Sequence, residues 1–424
     1  MNFLNGRIAD DDAARAALCT LNARILAAKE AGPPDGRAVL RACDAVANAI
    51  NEREHLHLLV ESGMPESRAK AALVEAKRML SAAYLEERLR RELPPVGDEF
   101  IPFGRGRPVK QRLAPLGALF HIAAGNVDAL PAMSVIEGLL TGNINILKLP
   151  SGDDGLSIQI LEMLTDAAPA LGNSIYAFGI SSGDMSAMKT MADCADAIVV
   201  WGGDEAIAGV RRLAPPGVKL IEWGHRISFA YVSGEVPDAA LAGVARNICD
   251  TNQLLCSSCQ GIFLDTESFE EASAFAERFA RILEEVSSAA DDGIFMTARK
   301  TLEIYTEQLE AAPGQKRVYR MPHCSVIAER DARLTPSYMY RNCWVRPLPQ
   351  SALLRTLSQN SGRLQTAALL CAGDRSALEA QLIRAGVSRV TSGEAMSEVY
   401  CGAPHDGEFS LARYVRVISV EGVR

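Results

Sequence analysis

Apolar and polar positions follow a helical rhythm over the first part of the chain. Residues 10–29 carry apolar side chains at helical spacing and stop before Gly32-Pro33-Pro34. Asp35 is placed to cap a second helix that reaches about residue 52, and Pro65 opens a third, long and charged, that ends near Leu93-Pro94-Pro95. Helices of this kind pack as covers, and they display no chemistry of their own.

Residues 98–112 alternate apolar and polar positions around Phe100, Phe103, Gly104 and Gly106, the pattern of a hairpin. Such a hairpin suits pairing with a second subunit and suits an ordinary surface position equally. From Leu116 onward the rhythm switches to short apolar runs separated by helical segments. Strands are predicted at 117–124, 144–149, 175–180, 197–201 and 218–223, with helices at 130–140, 158–167 and 204–213. Strands of four to eight residues alternating with helices argue for α/β architecture with a doubly wound parallel sheet. The chain leaves this unit at 227–232. A second α/β region runs over 233–400, with a strand at 261–264, a helix at 269–286, a strand at 367–371 and a helix at 378–384. A strand-like stretch at 414–420 suits a dimer arm.

The chain has 424 residues, a formal charge of −8 and a pI near 5.5. It is long enough for two or three domains, and no basic stripe interleaved with aromatics marks it for nucleic acid. Arg88, Arg90 and Arg91 are flanked by Glu86, Glu87 and Glu92, which reads as a solvated helix face. Of the ten cysteines only Cys256 and Cys259 have CxxC spacing, and no second pair accompanies them, so no metal site is expected. Residues 1–12 are polar and acidic, unlike a secretory leader, and no stretch has the length of a membrane span. These features place the chain in a reducing cytoplasm.

The residues that carry chemistry lie mostly at strand ends. Cys256 sits among small neighbours in Cys256-Ser257-Ser258-Cys259-Gln260-Gly261, just before an apolar run, where its thiolate is a candidate nucleophile. A buried structural cysteine is the plainer reading. Lys148 closes the strand at 144–149, pointing where ribose or phosphate oxygens lie, or simply capping a strand at the surface. Gly202-Gly203 stands between a strand and a helix, the place for a pyrophosphate or for a tight turn. Asn126 follows a strand, where its amide can stabilise an oxyanion or serve an ordinary turn. Glu222 ends an apolar strand. Its carboxyl is expected to rise toward the range of a general base, unless it pairs with Arg226 or Lys219. His405-Asp406-Gly407 reads first as an Asp-Gly turn.

In sequence order these residues resemble the aldehyde dehydrogenase superfamily, and Glu222 and Cys256 stand 34 positions apart, the spacing usual there. The frame Glu222-x-Gly224-x-Arg226 resembles its ELGGK box, and Gln253-x-x-Cys256 with Gln260 its nucleophile box. Within the superfamily, Ala123-Ala-Gly-Asn126, Val200-Trp-Gly-Gly-Asp-Glu-Ala-Ile207, Cys256-Ser-Ser-x-Gln260, Leu364-Gln-Thr366 and Pro404-His-Asp-Gly407 are similar to LuxC-type acyl-CoA and acyl-protein thioester reductases.

The resemblance implies a Rossmann-type nucleotide-binding domain with its helical cover (1–97 and 112–231), a catalytic domain (232–400), and oligomerisation arms (98–111 and 401–424) that make a homodimer or higher oligomer. It implies that Cys256 attacks an acyl-CoA or acyl-carrier-protein thioester, that Asn126 and the Cys256 backbone N–H hold the oxyanion, and that Glu222 manages the proton. Lys148, Ser151, Gly202, Gly203, Trp223 and Gly224 face the cofactor. Ser151 stands where a glutamate is frequent, so no carboxylate repels a 2′-phosphate and NADPH is expected, with NADH possible. Three alternatives stay open: a hydrolytic aldehyde dehydrogenase, because Glu222 is retained; a non-catalytic scaffold; and a Cys256–Cys259 redox pair. The family's nicotinamide clamp has no counterpart at Arg341-Asn-Cys-Trp-Val-Arg346.

Overall fold

A computed structural model describes residues 1–61, 66–95, 100–103, 107–123, 129–152, 155–289 and 294–421. The chain divides into two compact units, Met1–Gly224 together with Cys401–Arg424, and His225–Tyr400.

The first unit opens with two short strands, β1 (Asn2–Leu4) and β2 (Arg7–Ala9), and carries an arm of β3 (Phe100–Phe103) and β4 (Arg107–Pro115). Its main strands are β5 (Ala118–Ile122), β6 (Ile144–Lys148), β7 (Ile175–Phe178), β8 (Ala197–Trp201) and β9 (Lys219–Trp223). Among the described residues they form a seven-stranded sheet in the order β2-β1-β7-β6-β5-β8-β9. β5 to β9 run parallel, and β1 pairs antiparallel with β7. The near-continuous apolar strands have a physical cause: helices cover both faces, so successive side chains enter two different cores. Ile144 and Ile146 of β6 pack with Leu21, Ile25 and Met191 on one face. Leu147 packs with Val39, Val135, Leu139 and Leu161 on the other.

Strand order reverses between β5 and β8, the switch point outside whose carboxyl ends ligands bind in open α/β sheets. Residues 124–128 follow β5, so Asn126 lies outside the described residues.

The core under β5 is polar at one place. The buried His121 ring meets Ser134 Oγ at 2.7 Å through Nδ1 and Asn145 Oδ1 at 3.0 Å through Nε2. Burial pushes this imidazole down to about 4, against the opposing pull of the Asn145 bond. Nearby, Arg88 donates to Glu92, to Glu137 Oε1 at 2.7 Å and to Ser410 Oγ at 3.0 Å, tying the C-terminal return to two helices of this unit.

The second unit contains β10 (Ile227–Ser233), β11 (Cys259–Leu264), β12 (Lys316–Arg320), β13 (Ser325–Glu329), β14 (Asn342–Pro347), β15 (Leu364–Cys371) and β16 (Arg389–Thr391). Among the described residues they form a sheet in the order β12-β13-β14-β11-β10-β15-β16, parallel except for β12. Alternation again splits each strand between two cores. Phe229 and Tyr231 pack with Leu353, Leu378 and Leu382, whereas Ala230 and Val232 pack with Leu241, Ile248 and Phe279. The chain then returns to the first unit, where β17 (Val415–Glu421) pairs antiparallel with β4 to complete a three-stranded sheet.

Several expectations change here. The run at 227–232, where the chain was expected to leave the first unit, is already a central strand of the second sheet. The helix predicted over 10–29 breaks at Thr20 into Asp11–Cys19 and Leu21–Ala31. The long third helix expected from Pro65 to about residue 93 is two helices, Glu66–Leu80 and Ala82–Glu92, the latter capped by Ser81, whose side chain accepts from Tyr84 N, and a separate helix Glu52–Glu61 comes before them. The helix Ile294–Glu310 and the strands β12 and β13 were not anticipated. Among the described residues, no helix is long and apolar enough to cross a membrane.

Candidate functional site

Cys256 belongs to the second unit and lies at the amino end of β11. The helix Asp238–Thr251 ends in Asn252 at φ 47°, followed by Gln253 at φ 60°. Two consecutive left-handed residues turn the chain sharply, and the short loop 254–258 follows. Cys256 is exposed, as are Leu254 and Leu255 at 46% and 41%.

The loop's backbone is held from several sides. Ser228 of β10 donates from Oγ to the Cys256 carbonyl at 2.6 Å, and the same Oγ accepts from Thr366 N at 3.0 Å. Leu255 N donates to Ser258 Oγ at 3.1 Å. Ser257 Oγ donates to Ser397 Oγ at 3.0 Å, which also accepts from Asn247 Nδ2 at 2.9 Å. Asn247 Oδ1 accepts from Cys259 N at 2.9 Å. A loop fixed in this way presents its apex side chain in a defined direction.

Cys259 is a different kind of cysteine. It begins β11, is fully buried, and donates its thiol to Gly261 O at 3.3 Å. Burial pushes that thiol up to about 12, so no thiolate forms there near neutral pH. The alternative of a Cys256–Cys259 redox pair is not supported, and none of the ten cysteines is joined in a disulfide.

The other predicted residues belong to the first unit. Lys148 ends β6 and is not the surface lysine of the plainer reading: it is 3% exposed, and desolvation lowers its pKa. Ser151 is exposed three residues on. Gly202 and Gly203 precede the helix Asp204–Leu213, whose first turn carries Asp204 and Glu205. Those carboxylates already complement the helix dipole, and a pyrophosphate brought there meets two negative charges. The phosphate-binding expectation for this glycine pair is therefore disfavoured. The turn has a packing cause, since Gly202 N donates to Trp223 O at 3.1 Å and a Cβ on Gly202 would stand 3.0 Å from Ala206 Cβ.

Glu222 overturns the expectation of a raised carboxyl. Arg211 donates Nε to its Oε1 at 2.6 Å and Nη2 to its Oε2 at 2.7 Å. This bidentate bond, outweighing partial burial, holds the carboxyl below its ordinary value. The partner is neither Arg226 nor Lys219. Lys219 donates instead to Arg413 O at 2.7 Å, and Arg226 to Gly362 O.

Beside Glu222, the Trp223 ring stacks on Trp201 at 5.3 Å and meets His405 edge-on at 4.9 Å. The Arg413 guanidinium lies over Trp223 at 4.9 Å. The indole is thus occupied by protein, and Trp223 offers a ligand its backbone position rather than its ring. Gly224 follows, where a Cβ would approach Ile207 Cδ1 at 2.9 Å. Asp406 and Gly407 have φ of 50° and 85°, and His405 and Glu408 exchange backbone hydrogen bonds at 2.8 and 2.9 Å. This is the expected Asp-Gly turn, in its primed form.

Sequence reasoning missed Arg211, Ser228 and Asn247, because each acts on a partner in another element. Among the described residues, no group of His, Cys, Asp and Glu side chains is placed to hold a metal ion.

Comparison with known proteins adds an independent line. The family model described as acyl-CoA reductase (LuxC) matches residues 36–417. A long-chain acyl-protein thioester reductase of Aliivibrio fischeri is 25% identical over 342 residues, covering 76% of this chain and 67% of that protein. Long-chain acyl-protein thioester reductase 2 of Photobacterium leiognathi is 30% identical over 194 residues, covering 44% of this chain and 40% of that protein. Among solved structures, glyceraldehyde-3-phosphate dehydrogenase GapN of Methanocaldococcus jannaschii, complexed with NADP, has a TM-score of 0.73 at 12% identity, covering 99% of this chain and 96% of that one. Aldehyde dehydrogenase 21 of Physcomitrella patens has a TM-score of 0.70 at 11% identity, covering 97% and 90%. The fold is that of the aldehyde dehydrogenases.

Proposed function

The chain belongs to the acyl-CoA reductase (LuxC) family, and from that membership we propose that it reduces an acyl thioester to an aldehyde through an acyl group held on Cys256. The observation that carries this reading is an exposed cysteine in a short loop held by hydrogen bonds from several elements. The Cys256 thiolate adds to the thioester carbonyl, a new C–S bond forms, and the bond to the carrier's sulfur breaks, releasing CoA or a carrier-protein thiol. Exchange of one thioester for another is nearly neutral in energy, so the enzyme's task is aim rather than force. Asn126 and the Cys256 N–H are assigned to the developing oxyanion. The aldehyde departs when its bond to Cys256 breaks and the sulfur recovers its charge.

A nicotinamide, when bound, supplies the hydride for the reduction. Lys148 and Ser151 fit its adenosine end: a cation at the carboxyl end of a central strand, and a hydroxyl rather than a carboxylate three residues on. That donor set favours NADPH over NADH. Gly224 contributes backbone to the same face, and Trp223 and the Gly202-Gly203 turn shape it by packing. The three-stranded arm of β3, β4 and β17 serves self-association into a dimer or higher oligomer, and the free thiols suit a reducing cytoplasm.

The hydrolytic alternative requires a base to activate water. Glu222, held below its ordinary pKa by Arg211, is a poor one. A scaffold role leaves the loop's presentation of Cys256 without a purpose. The test is direct: purified protein with NADPH and acyl-CoA of several chain lengths should release CoA and aldehyde in equal amounts. Folded protein that releases no CoA across the series, or that converts aldehyde to acid without CoA, overturns the proposal.

A further inference from the structure

The nucleophile loop faces a second segment of unusual backbone. Met339, Tyr340 and Arg341 have φ of 60°, 49° and 70°, just before β14. Left-handed conformation costs a non-glycine residue about 1 kcal/mol or more. Five such residues, Asn252, Gln253 and these three, stand in two segments that bond to one another, and strain gathered in this way persists only where neighbours over-determine it.

Two buried glutamines supply the determination. Gln253 is 1% exposed and Gln260 6%. Gln253 Nε2 donates to Cys259 O at 3.0 Å, while its Oε1 accepts from Arg341 N at 3.0 Å. Gln260 Nε2 donates to Gln253 O at 3.0 Å, while its Oε1 accepts from Ser337 N at 3.1 Å and from Ser337 Oγ at 2.8 Å. Tyr340 N donates to Asn252 O at 3.0 Å. Each amide faces a backbone carbonyl with its nitrogen and a backbone N–H with its oxygen, so neither can turn over without losing both bonds. The residues joined, Gln253 and Cys259, are the entry and exit of the loop that carries Cys256.

We propose that Gln253 and Gln260 are positioning residues that close the base of the nucleophile loop and lock it to the left-handed bend at 337–341, fixing the direction of Cys256 toward the incoming thioester. The proposal rests on the reading of Cys256 as the acyl acceptor. Neutral amides suit the task, because they satisfy buried carbonyls and N–H groups without placing a charge that would oppose a thiolate.

Gln253→Glu and Gln260→Glu keep size and shape but put a carboxylate oxygen against a carbonyl. Single-turnover acylation by acyl-CoA, followed by intact mass, should slow about 100-fold at a pH near 8. The ratio of variant to wild-type rate should climb as the pH is lowered toward about 6, because the neutral carboxyl regains an O–H donor where the amide nitrogen stood. Ser337→Ala, which removes one of the two bonds to Gln260 Oε1, should slow acylation about tenfold or less. Ser273→Ala removes a buried hydroxyl contact to Tyr319 on the helix Phe269–Ser287 and serves as a control of lowered stability. It should acylate at the wild-type rate. Acylation within threefold of wild type in both folded Glu variants, or a loss that does not respond to pH and is matched by Ser273→Ala, overturns the proposal. Hydrogen exchange at the Ser337 and Arg341 amides decides the clamp without any substrate: both should be protected in wild type and exchange at least about 100-fold faster in Gln253→Ala and Gln260→Ala, and unchanged protection rejects it. A wild-type protein that takes no acyl group would remove the thioester reading instead, with the exchange result still standing.

Discussion

Glu222 and Cys256 occupy neighbouring boxes of one family pattern, and the two units treat them in opposite ways. In the first unit the functional group itself is bonded: both carboxylate oxygens of Glu222 are taken by Arg211. In the second unit the bonds described above fall on the loop's backbone, and Cys256 is exposed. Serine, asparagine and glutamine side chains hold the backbone on either side of Cys256, which is exposed. A carboxylate committed to a guanidinium gains order and loses proton affinity. A cysteine on a pinned loop gains order while remaining open to solvent. Under the proposed reading, the contrast favours transfer to sulfur over activation of water.

The largest effect expected from this contrast is on the second unit. Cys256→Ala should lower reductase turnover by about 10⁴-fold or more, with thermal unfolding unchanged because the side chain is exposed. Steady-state kinetics beside a melting curve checks both halves.

Acid should separate the units next. His121 is neutral and buried in the first unit, with its pKa pushed from 6.5 down to about 4. The unfolded chain therefore binds the extra proton first, and stability present above 6.5 is lost as pH falls toward 4. The loss should approach 3 kcal/mol as an order of magnitude, roughly 1.4 kcal/mol for each pH unit of displacement. Denaturant unfolding across that range is the measurement, and stability independent of pH in His121→Gln would assign the loss to this residue.

Gly261→Ala tests packing in the second unit. A Cβ there would run into the Trp344 ring, which is itself held by a 2.9 Å bond from Nε1 to Thr335 O and by Arg346 at 4.4 Å. The expected cost is about 1–3 kcal/mol of stability, read from denaturant midpoints.

The smallest effect should come from Glu222→Gln. Reductase activity should fall by less than about tenfold, where loss of a general base costs about 10²–10⁴-fold. A larger loss, with acyl-enzyme accumulating, would return the hydrolytic role to Glu222.

Much of the fold was legible because strands buried on both faces leave an unbroken apolar signature. The helix at 130–140 and the strand at 197–201 lie where their spacing placed them. The membership of 227–233 was not legible, since an apolar strand looks the same in either sheet and only pairing distinguishes them. β1 and β2 are three residues each, too short for a period to register. At the candidate site, Cys256 was visible from its small neighbours. Gln253 and Gln260 stood in the same quoted box, but their partners at Arg341 and Ser337 lie 88 and 77 residues away, beyond local reading. Glu222 drew attention as a carboxylate ending an apolar strand, yet its partner was sought among adjacent cations and found on the preceding helix. No local rule marks which of several arginines will turn inward.

The central claim is that one exposed sulfur carries the acyl group. Intact-mass analysis of the protein mixed with acyl-CoA, with and without NADPH, tests it most directly. We expect a single added acyl mass that maps to Cys256, disappears on addition of NADPH as aldehyde forms, and is absent from Cys256→Ala. An adduct that persists in Cys256→Ala, or folded wild-type protein that never acquires one, would contradict the account.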